Sequence, residues 1–320
     1  MVDSPYAART KEPEASSNAD QIELSAMRGK WAVVDDAAAD DVVSGQLDDE
    51  AYLDARQSDD GGRHSWQERD ISQEQIVGDA ASEIHRRSKA LGSAYPFRID
   101  GNRIVYTGSR SGFYEFCLAT AQAPTIVKKP YVQLPRIFER TTAGLVKLYF
   151  GPTAKAIHTG WPRRPKSRFK AISSKIADGR WEWRWRPEDG LDDDPSYTVV
   201  KDETVDFVIV ANKLDARPGN LYILGQCACG NDWDTKLDEP NPQQISKWFS
   251  PAWLIPPVKA FTTPFVLGDE LMRETVRRGR MLVFDRIRLT LIAERDVSQL
   301  AARKLKPRLE ALSDLVTRGP

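Results

Sequence analysis

The chain has 320 residues, of which 41% are hydrophobic and 29% are charged, a composition typical of soluble globular proteins. No apolar run approaches the roughly 20 residues of a membrane-spanning helix, and residues 1–20 contain no hydrophobic stretch of a secretion signal. The three cysteines, Cys117, Cys227 and Cys229, do not make a disulfide framework. We therefore expect a cytoplasmic protein with no membrane association.

The formal net charge is zero, but acidic and basic residues are unevenly distributed along the chain. Residues 1–80 contain 19 acidic and 7 basic residues, and residues 81–320 contain 27 acidic and 39 basic residues. The larger part is therefore basic, as in proteins that bind phosphates. The acidic part is either a solubilising leader or a regulatory arm, and the sequence leaves both interpretations open.

The N-terminal part predicts a leader followed by an accessory region. Residues 1–22 are polar and lack an apolar period, which predicts disorder. Residues 23–130 are expected to form an acidic, mostly helical accessory region. Within it, the apolar spacing predicts helices over residues 71–91 and 112–121, and a hairpin over residues 97–106.

Residues 131–320 predict an α/β core that a C-terminal helix closes. Apolar residues on one helical face predict a helix over residues 134–150, which Gly151 ends. Two further helices are predicted over residues 166–177 and 297–315. Strands are predicted over residues 154–158, 198–200, 205–211, 221–228, 259–265 and 281–292. Helices and strands that alternate in this way are typical of an α/β fold.

An acid and an amide mark the ends of two consecutive predicted strands. Asp206 begins the strand 205–211, and Gln226 lies near the end of the strand 221–228. If the two strands pair as a hairpin, both side chains come to one end of the sheet. Their oxygens suit a divalent metal that hydrolyses phosphodiesters, and the backbone carbonyl of Cys227 would be a third ligand.

These residues resemble the motifs of the PD-(D/E)XK nucleases, in particular the Mrr-like restriction branch. That branch has an Asp-Gly-Gly-Ile-Asp stretch, a Gln-x-Lys strand and a preceding helix that opens with Phe-Glu. Here residues 202–206 keep the two acids of the first motif without its glycines, Gln226 keeps the glutamine, and Phe138-Glu139 matches the helix. The resemblance implies a restriction-endonuclease-like core, with a mixed central sheet flanked by helices, and Glu139 as a further metal ligand.

Ala228 stands where these nucleases carry their lysine. Members of the superfamily sometimes carry the lysine on the following helix, and Lys236 is placed for that role. The resemblance implies that Lys236 orients the attacking water or neutralises charge that develops at the phosphate. We therefore expect Glu139, Asp206, Gln226 and Lys236 to converge on one pocket that holds Mg²⁺ or Mn²⁺.

A basic segment follows the first predicted core strand and contains Arg163, Arg164, Lys166 and Arg168. Because such side chains neutralise phosphates, the segment is a candidate DNA-binding site, and a merely solvated loop is the alternative.

Residues 180–186 alternate tryptophan with charged residues, which predicts a strand with three tryptophans on one face. Such a face either stacks on bases or packs into the core. Cys227 and Cys229 lack partners at zinc spacing, which favours core packing. His158 is a candidate for the rim of the site.

Together the candidate site and the resemblance predict a magnesium-dependent endonuclease that cuts DNA, and the resemblance implies a role in restriction or anti-phage defence. It would act with a separate recognition or regulatory protein, with a homo-oligomer as a further possibility. Two alternatives stay open. One is an inactive nuclease fold that binds DNA or acts as a scaffold, which Ala228 favours. The other is an interaction protein whose acidic N-terminal region binds a basic partner.

Overall fold

The computed structural model describes most of the chain as two compact units. The described residues are 11–34, 64–160, 170–177, 181–191, 203–211, 215 and 217–318. One unit combines the chain up to Gln122 with the stretch from Leu305 onward, and the other spans Ala123–Lys304. Among the described residues, no helix combines the length and the apolar character needed to cross a membrane.

The first unit is built from helices and a small antiparallel sheet. Its elements are α1 (Lys11–Gly29), β1 (Trp31–Val33), α2 (His64–Leu91), β2 (Phe97–Asp100), β3 (Arg103–Tyr106) and α3 (Phe113–Ala121). The strands follow the order β1-β3-β2, and β2 and β3 form the predicted hairpin. The predicted helices over residues 71–91 and 112–121 are confirmed as α2 and α3.

Ion pairs with a buried arginine of α2 stabilise helix α1. The Arg87 guanidinium is fully buried in α2 and forms ion pairs of 2.6 Å with Asp20, 3.0 Å with Glu23 and 2.8 Å with Glu83. The same face of α1 buries Ile22. The prediction of disorder for residues 1–22 is therefore wrong from Lys11 onward, because acids that look solvated in the sequence pair with a distant arginine.

The C-terminal helix, Leu305–Thr317, belongs to the first unit and packs against α3. It buries Leu309 and Val316, and the Lys306 Nζ donates to the Ser109 carbonyl at 2.9 Å. We expected one helix over residues 297–315 that belongs to the core. The structure instead breaks it at Lys304, whose φ of 51° is left-handed and incompatible with a continuous helix.

The second unit contains five strands and six helices longer than one turn among its described residues. They are α4 (Gln133–Tyr149), β4 (Lys155–His158), α5 (Ala171–Ala177), β5 (Phe207–Ala211), β6 (Leu221–Cys227), α6 (Pro242–Ser246), β7 (Val258–Thr262), α7 (Asp269–Gly279), β8 (Leu282–Phe284), α8 (Arg286–Arg295) and α9 (Val297–Ala302). A short 3₁₀ helix, Trp233–Lys236, follows β6.

The five strands form one mixed sheet in the order β4-β5-β6-β7-β8. The pairs β4–β5 and β5–β6 are antiparallel, and β6–β7 and β7–β8 are parallel. Helix α4 covers one face, and the other carries a buried cluster that includes Val208, Leu224, Trp183 and Trp248. The expected α/β class, a mixed central sheet flanked by helices after a mainly helical N-terminal region, is confirmed.

The predicted strand over residues 281–292 is wrong beyond Phe284. The Asp285 carboxylate accepts a hydrogen bond from the Arg288 N–H at 3.0 Å and caps α8, which buries Leu289 and Ile292. The alternation of apolar and polar residues in this segment is thus typical of a strand, but the segment forms a capped helix. The predicted strand over residues 198–200 lies outside the described residues.

The tryptophan-rich segment is also not a strand. Trp183 has a left-handed φ of 56° and is fully buried against Phe249, whereas Trp181 is 60% exposed. Trp185 stacks on Trp248 with ring centroids 5.6 Å apart. Packing into the core is thus confirmed for Trp183.

Candidate active site

A β-bulge fixes the backbone at Asp206. Phe207 is the register partner of Gly225, and the Asp206 N–H also donates to the Gly225 carbonyl at 2.8 Å. Two residues of one strand therefore stand opposite a single residue of the other, which is the arrangement of a bulge. On the other side, the N–H groups of Thr159 and Gly160 both donate to the Asp206 carbonyl at 2.8 Å.

The bulge sets the face of the sheet on which the Asp206 carboxylate lies. Side chains alternate along a regular strand, so without the bulge the Asp206 side chain would lie on the face of the sheet opposite to that of Phe207. Instead its Oδ2 accepts a hydrogen bond from the Cys227 N–H at 2.8 Å, and its Oδ1 lies beside Gly160. The carboxylate is thus held at the end of the sheet, on the side that α4 covers.

Glu139 and His158 lie on the same side. His158 ends β4 and is the register partner of Phe207, and its Nε2 contacts the Glu139 Oε1. Both atoms are buried, and neither has a hydrogen-bond partner among the other described residues. The two side chains keep 24% and 15% of their surface exposed, so solvent reaches them.

Gly160 has no side chain where these three residues meet. A Cβ built on Gly160 would overlap the Glu139 Oε1, and it would lie 2.7 Å from the Glu139 Cδ and 3.0 Å from the Asp206 Oδ1. Carbon and oxygen atoms do not approach each other this closely without bonding. The arrangement of Glu139, His158 and Asp206, here called the cradle, is therefore kept only with glycine at position 160, since a side chain there would displace the Glu139 carboxylate.

The Cys227 thiol closes the cradle from the sheet. Its Sγ accepts a hydrogen bond from the Thr262 Oγ1 at 3.0 Å and lies 3.4 Å from the Thr142 Oγ1. Burial raises the pKa of this thiol well above its usual value, and the negative charges of Asp206 and Glu139 raise that pKa further. Both acids therefore lie near enough to this thiol to affect its pKa.

Gln226 does not join this cradle. It alternates with Cys227 along β6, so its side chain lies on the opposite face of the sheet. There its Nε2 donates to the Glu239 Oε2 at 2.8 Å, and its Oε1 is buried without a hydrogen-bond partner among the described residues. The predicted meeting of Asp206 and Gln226 is wrong for their side chains, because the bulge turns Asp206 to the other face.

Lys236 is also separate from the cradle. It ends the 3₁₀ helix Trp233–Lys236, and the Trp233 ring packs on Phe261, with ring centroids 6.0 Å apart. Phe261 is the register partner of Gln226, so this helix covers the Gln226 face. The Lys236 carbonyl accepts a hydrogen bond from the Glu239 N–H at 3.0 Å, and its side chain forms no hydrogen bond or ion pair with the residues that the structure describes. The predicted four-residue pocket is therefore reduced to Glu139 and Asp206.

The structure does not test the predicted basic segment or the predicted metal ligand at the Cys227 carbonyl. The basic residues Arg163, Arg164, Lys166 and Arg168 lie outside the described residues. For Cys227, the structure places the N–H and the thiol next to the acids, and metal binding by its carbonyl oxygen stays a prediction.

The cradle has the donor chemistry of a metal site but not its assembled geometry. Within the described ranges, no group of three or more His, Cys, Asp or Glu residues is arranged to hold a metal ion. Even so, the Glu139 Oε1 and the His158 Nε2 are buried and have no hydrogen-bond partner among the other described residues, and the glycine at position 160 leaves room for the Glu139 carboxylate beside Asp206. Carboxylate and imidazole groups are common ligands of divalent cations, so the residues fit such an ion once Glu139 and His158 separate.

The chain matches no protein-family model, no curated protein and no solved structure. Any proposal for the function of this chain therefore depends on the geometry of the cradle.

His158 and Gly160 are more important to the cradle than the sequence analysis predicted. His158 was expected only at the rim, and Gly160 was not predicted at all. The sequence shows only that His158 ends one predicted strand and that Asp206 lies at the start of another, and the pairing of these two strands appears in the structure. The bulge gives no signal in the sequence, since no residue type specifies it.

Proposed function

We propose that the second unit is a metal-dependent nuclease that hydrolyses DNA phosphodiester bonds, with Glu139 and Asp206 as its acidic residues. The observation that carries this proposal is their meeting at Gly160 from two different elements, helix α4 and the start of β5. The order of elements supports it, because helix, three antiparallel strands, helix and a parallel fourth strand suit the restriction-endonuclease-like core that the motifs imply.

The backbone supports the same assignment. Asp206 makes three N–H···O bonds through its own N–H and carbonyl, and a fourth bond holds its carboxylate. Rigid placement of this kind is what a metal ligand needs, because small displacements of a reacting group cost large factors in rate. A divalent cation bound here would activate water and stabilise charge on the phosphate.

The basic segment supports DNA as the substrate. Arg163, Arg164, Lys166 and Arg168 follow the cradle residue Gly160 closely in the sequence. Arg and Lys side chains of such a segment would neutralise the phosphates that flank a scissile bond. We place such an enzyme in the cytoplasm, in restriction or anti-phage defence beside a separate recognition protein.

A second candidate function is favoured by two observations. Ala228 is fully buried at the position where the family has lysine, and the Gln226 amide is bonded to Glu239. Both observations favour an inactive nuclease fold that binds DNA or acts as a scaffold. The two candidates share a fold and a ligand, and they differ in whether the chain cleaves DNA.

Cleavage of supercoiled plasmid with and without EDTA separates the candidates. We expect the wild-type chain to nick the plasmid with Mg²⁺ or Mn²⁺, and Asp206→Asn and Glu139→Gln to lose at least about 100-fold in rate. Asp215→Asn is the matched control, because Asp215 is an exposed acid of the β5–β6 connection. DNA binding without cleavage would support the inactive subunit, and cleavage by Asp206→Asn at the wild-type rate would overturn the assignment of the site.

A further inference from the structure

His158 is placed where a ligand of the cradle should be. Its Nε2 faces the Glu139 carboxylate, and that contact is the only ion pair of Glu139 among the described residues. Asp206 adds a second carboxylate beside the same glycine. Two carboxylates and one imidazole therefore lie together beside Gly160, and the Glu139 Oε1 and the His158 Nε2 are buried without another hydrogen-bond partner among the described residues. Carboxylate and imidazole groups are common ligands of divalent cations.

We infer that His158 is a metal ligand together with Glu139 and Asp206, and that the site binds Mn²⁺ in preference to Mg²⁺. The inference rests on the proposed function for the existence of the metal site and adds a ligand and a selectivity. It assigns the His158 Nε2 and the Glu139 Oε1 to the cation, which would replace their present contact with each other.

The selectivity follows from the donor set. Mg²⁺ is a hard ion that takes oxygen ligands and keeps several waters. An imidazole nitrogen suits first-row transition ions, and the carboxylates suit Mn²⁺ and Mg²⁺ alike. A site with one nitrogen and two carboxylate ligands therefore gains more from Mn²⁺ than from Mg²⁺.

The elements that carry the three donors support a shared ion rather than a simple ion pair. Glu139 lies on α4, His158 ends β4, and Asp206 precedes β5, so a cation there would join three segments of the unit. The hydrogen bonds of Thr159 and Gly160 to the Asp206 carbonyl join the backbone that follows His158 to the backbone of Asp206.

The test is Mn²⁺ binding by the full-length chain, measured by electron paramagnetic resonance without DNA. We expect Mn²⁺ to bind at least about tenfold more tightly than Mg²⁺ in competition, with a nitrogen coupling in the pulsed spectrum. His158→Ala should remove the nitrogen coupling and weaken Mn²⁺ binding by at least about tenfold, with little effect on Mg²⁺. His158→Asn, which is closer in size, guards against a folding defect, and circular dichroism monitors both variants.

His85→Ala is the matched control, because His85 is an exposed histidine of α2 in the other unit. A nitrogen coupling to bound Mn²⁺ that is lost in the His158 variants and kept in His85→Ala supports the inference. It does so even if the chain cleaves no DNA and the proposed function fails. Mn²⁺ that binds without nitrogen coupling, binds equally well to folded His158→Ala or does not bind at all overturns it. Cleavage of DNA with Mg²⁺ would then still support the proposed function.

Discussion

The Cys227 N–H donates a hydrogen bond to the Asp206 carboxylate at 2.8 Å, so a backbone group of β6 holds the acid that precedes β5. The bond links the chemistry of Asp206 to the stability of the sheet end. Substitutions at this position therefore have two separable effects.

Asp206→Asn and Asp206→Ala should differ in stability and agree in activity. The asparagine side chain still accepts the Cys227 N–H, so its free energy of unfolding should stay within about 0.5 kcal/mol of wild type. Alanine leaves the N–H without its acceptor, which costs about 1–3 kcal/mol. Both should lose at least about 100-fold in metal-dependent cleavage. Urea unfolding and plasmid nicking measure the two effects, and equal stabilities would show that the hydrogen bond contributes little.

Gly160→Ala should damage the cradle without touching an acid. The added Cβ would overlap the Glu139 Oε1 and push that side chain away. Because the Glu139 carboxylate is the end of a flexible side chain that can move aside, we expect a loss of metal binding with only a small loss of stability. Gly78→Ala is the control, because nothing lies within 4 Å of the added Cβ and alanine should stabilise helix α2 by up to about 1 kcal/mol. Unchanged metal affinity in Gly160→Ala would place the metal elsewhere.

Lys236→Ala should have little effect on cleavage. The motifs assign a large role to this lysine, but its helix covers the face of the sheet opposite to Asp206. We therefore expect a turnover within about threefold of wild type, in contrast to the roughly 100-fold loss typical of a transition-state contact. A steady-state rate comparison decides the matter. A loss of about 100-fold would mean that Lys236 reaches the scissile phosphate when DNA is bound.

Glu83 should make the stability of the first unit depend on acid. Burial acts to raise its pKa, but hydrogen bonds and positive charge from Arg86 and Arg87 outweigh burial and hold the pKa below its usual value of 4.5. The stabilisation is therefore present above the unfolded-state pKa and is lost as the pH falls through the lower folded-state pKa. Glu83→Gln should be less stable than wild type at pH 6, and urea unfolding should show this difference shrinking below pH 4.5. A constant difference would contradict the ion-pair origin.

Local patterns in the sequence predicted the elements of the core well. Apolar positions on one face specified α4, which buries Leu134, Phe138 and Leu145, and continuous apolar runs specified β5 and β6. These patterns depend on near neighbours in the chain, so they can be recognised in one sequence. The same holds for the hairpin of β2 and β3.

What the sequence could not supply depends on contacts between distant residues. The ion pairs of Arg87 with Asp20 and Glu23 join α2 to a segment that looks disordered by composition. The bulge at Asp206 depends on how three strands meet, and it alone decides that Glu139 and not Gln226 becomes the neighbour of Asp206. Motif spacing identified the acids of the site but not the face of the sheet that each one occupies.

The C-terminal helix gives the chain an unusual folding order. The first unit is interrupted after Gln122 and resumes at Leu305, so the second unit is an insertion within it. Domains fold as units during synthesis, usually from the N-terminus, but here the helix Leu305–Thr317 that packs on α3 is synthesised only after the second unit. The inserted unit, with Glu139, His158 and Asp206, is complete in the nascent chain before the unit that surrounds it in the sequence.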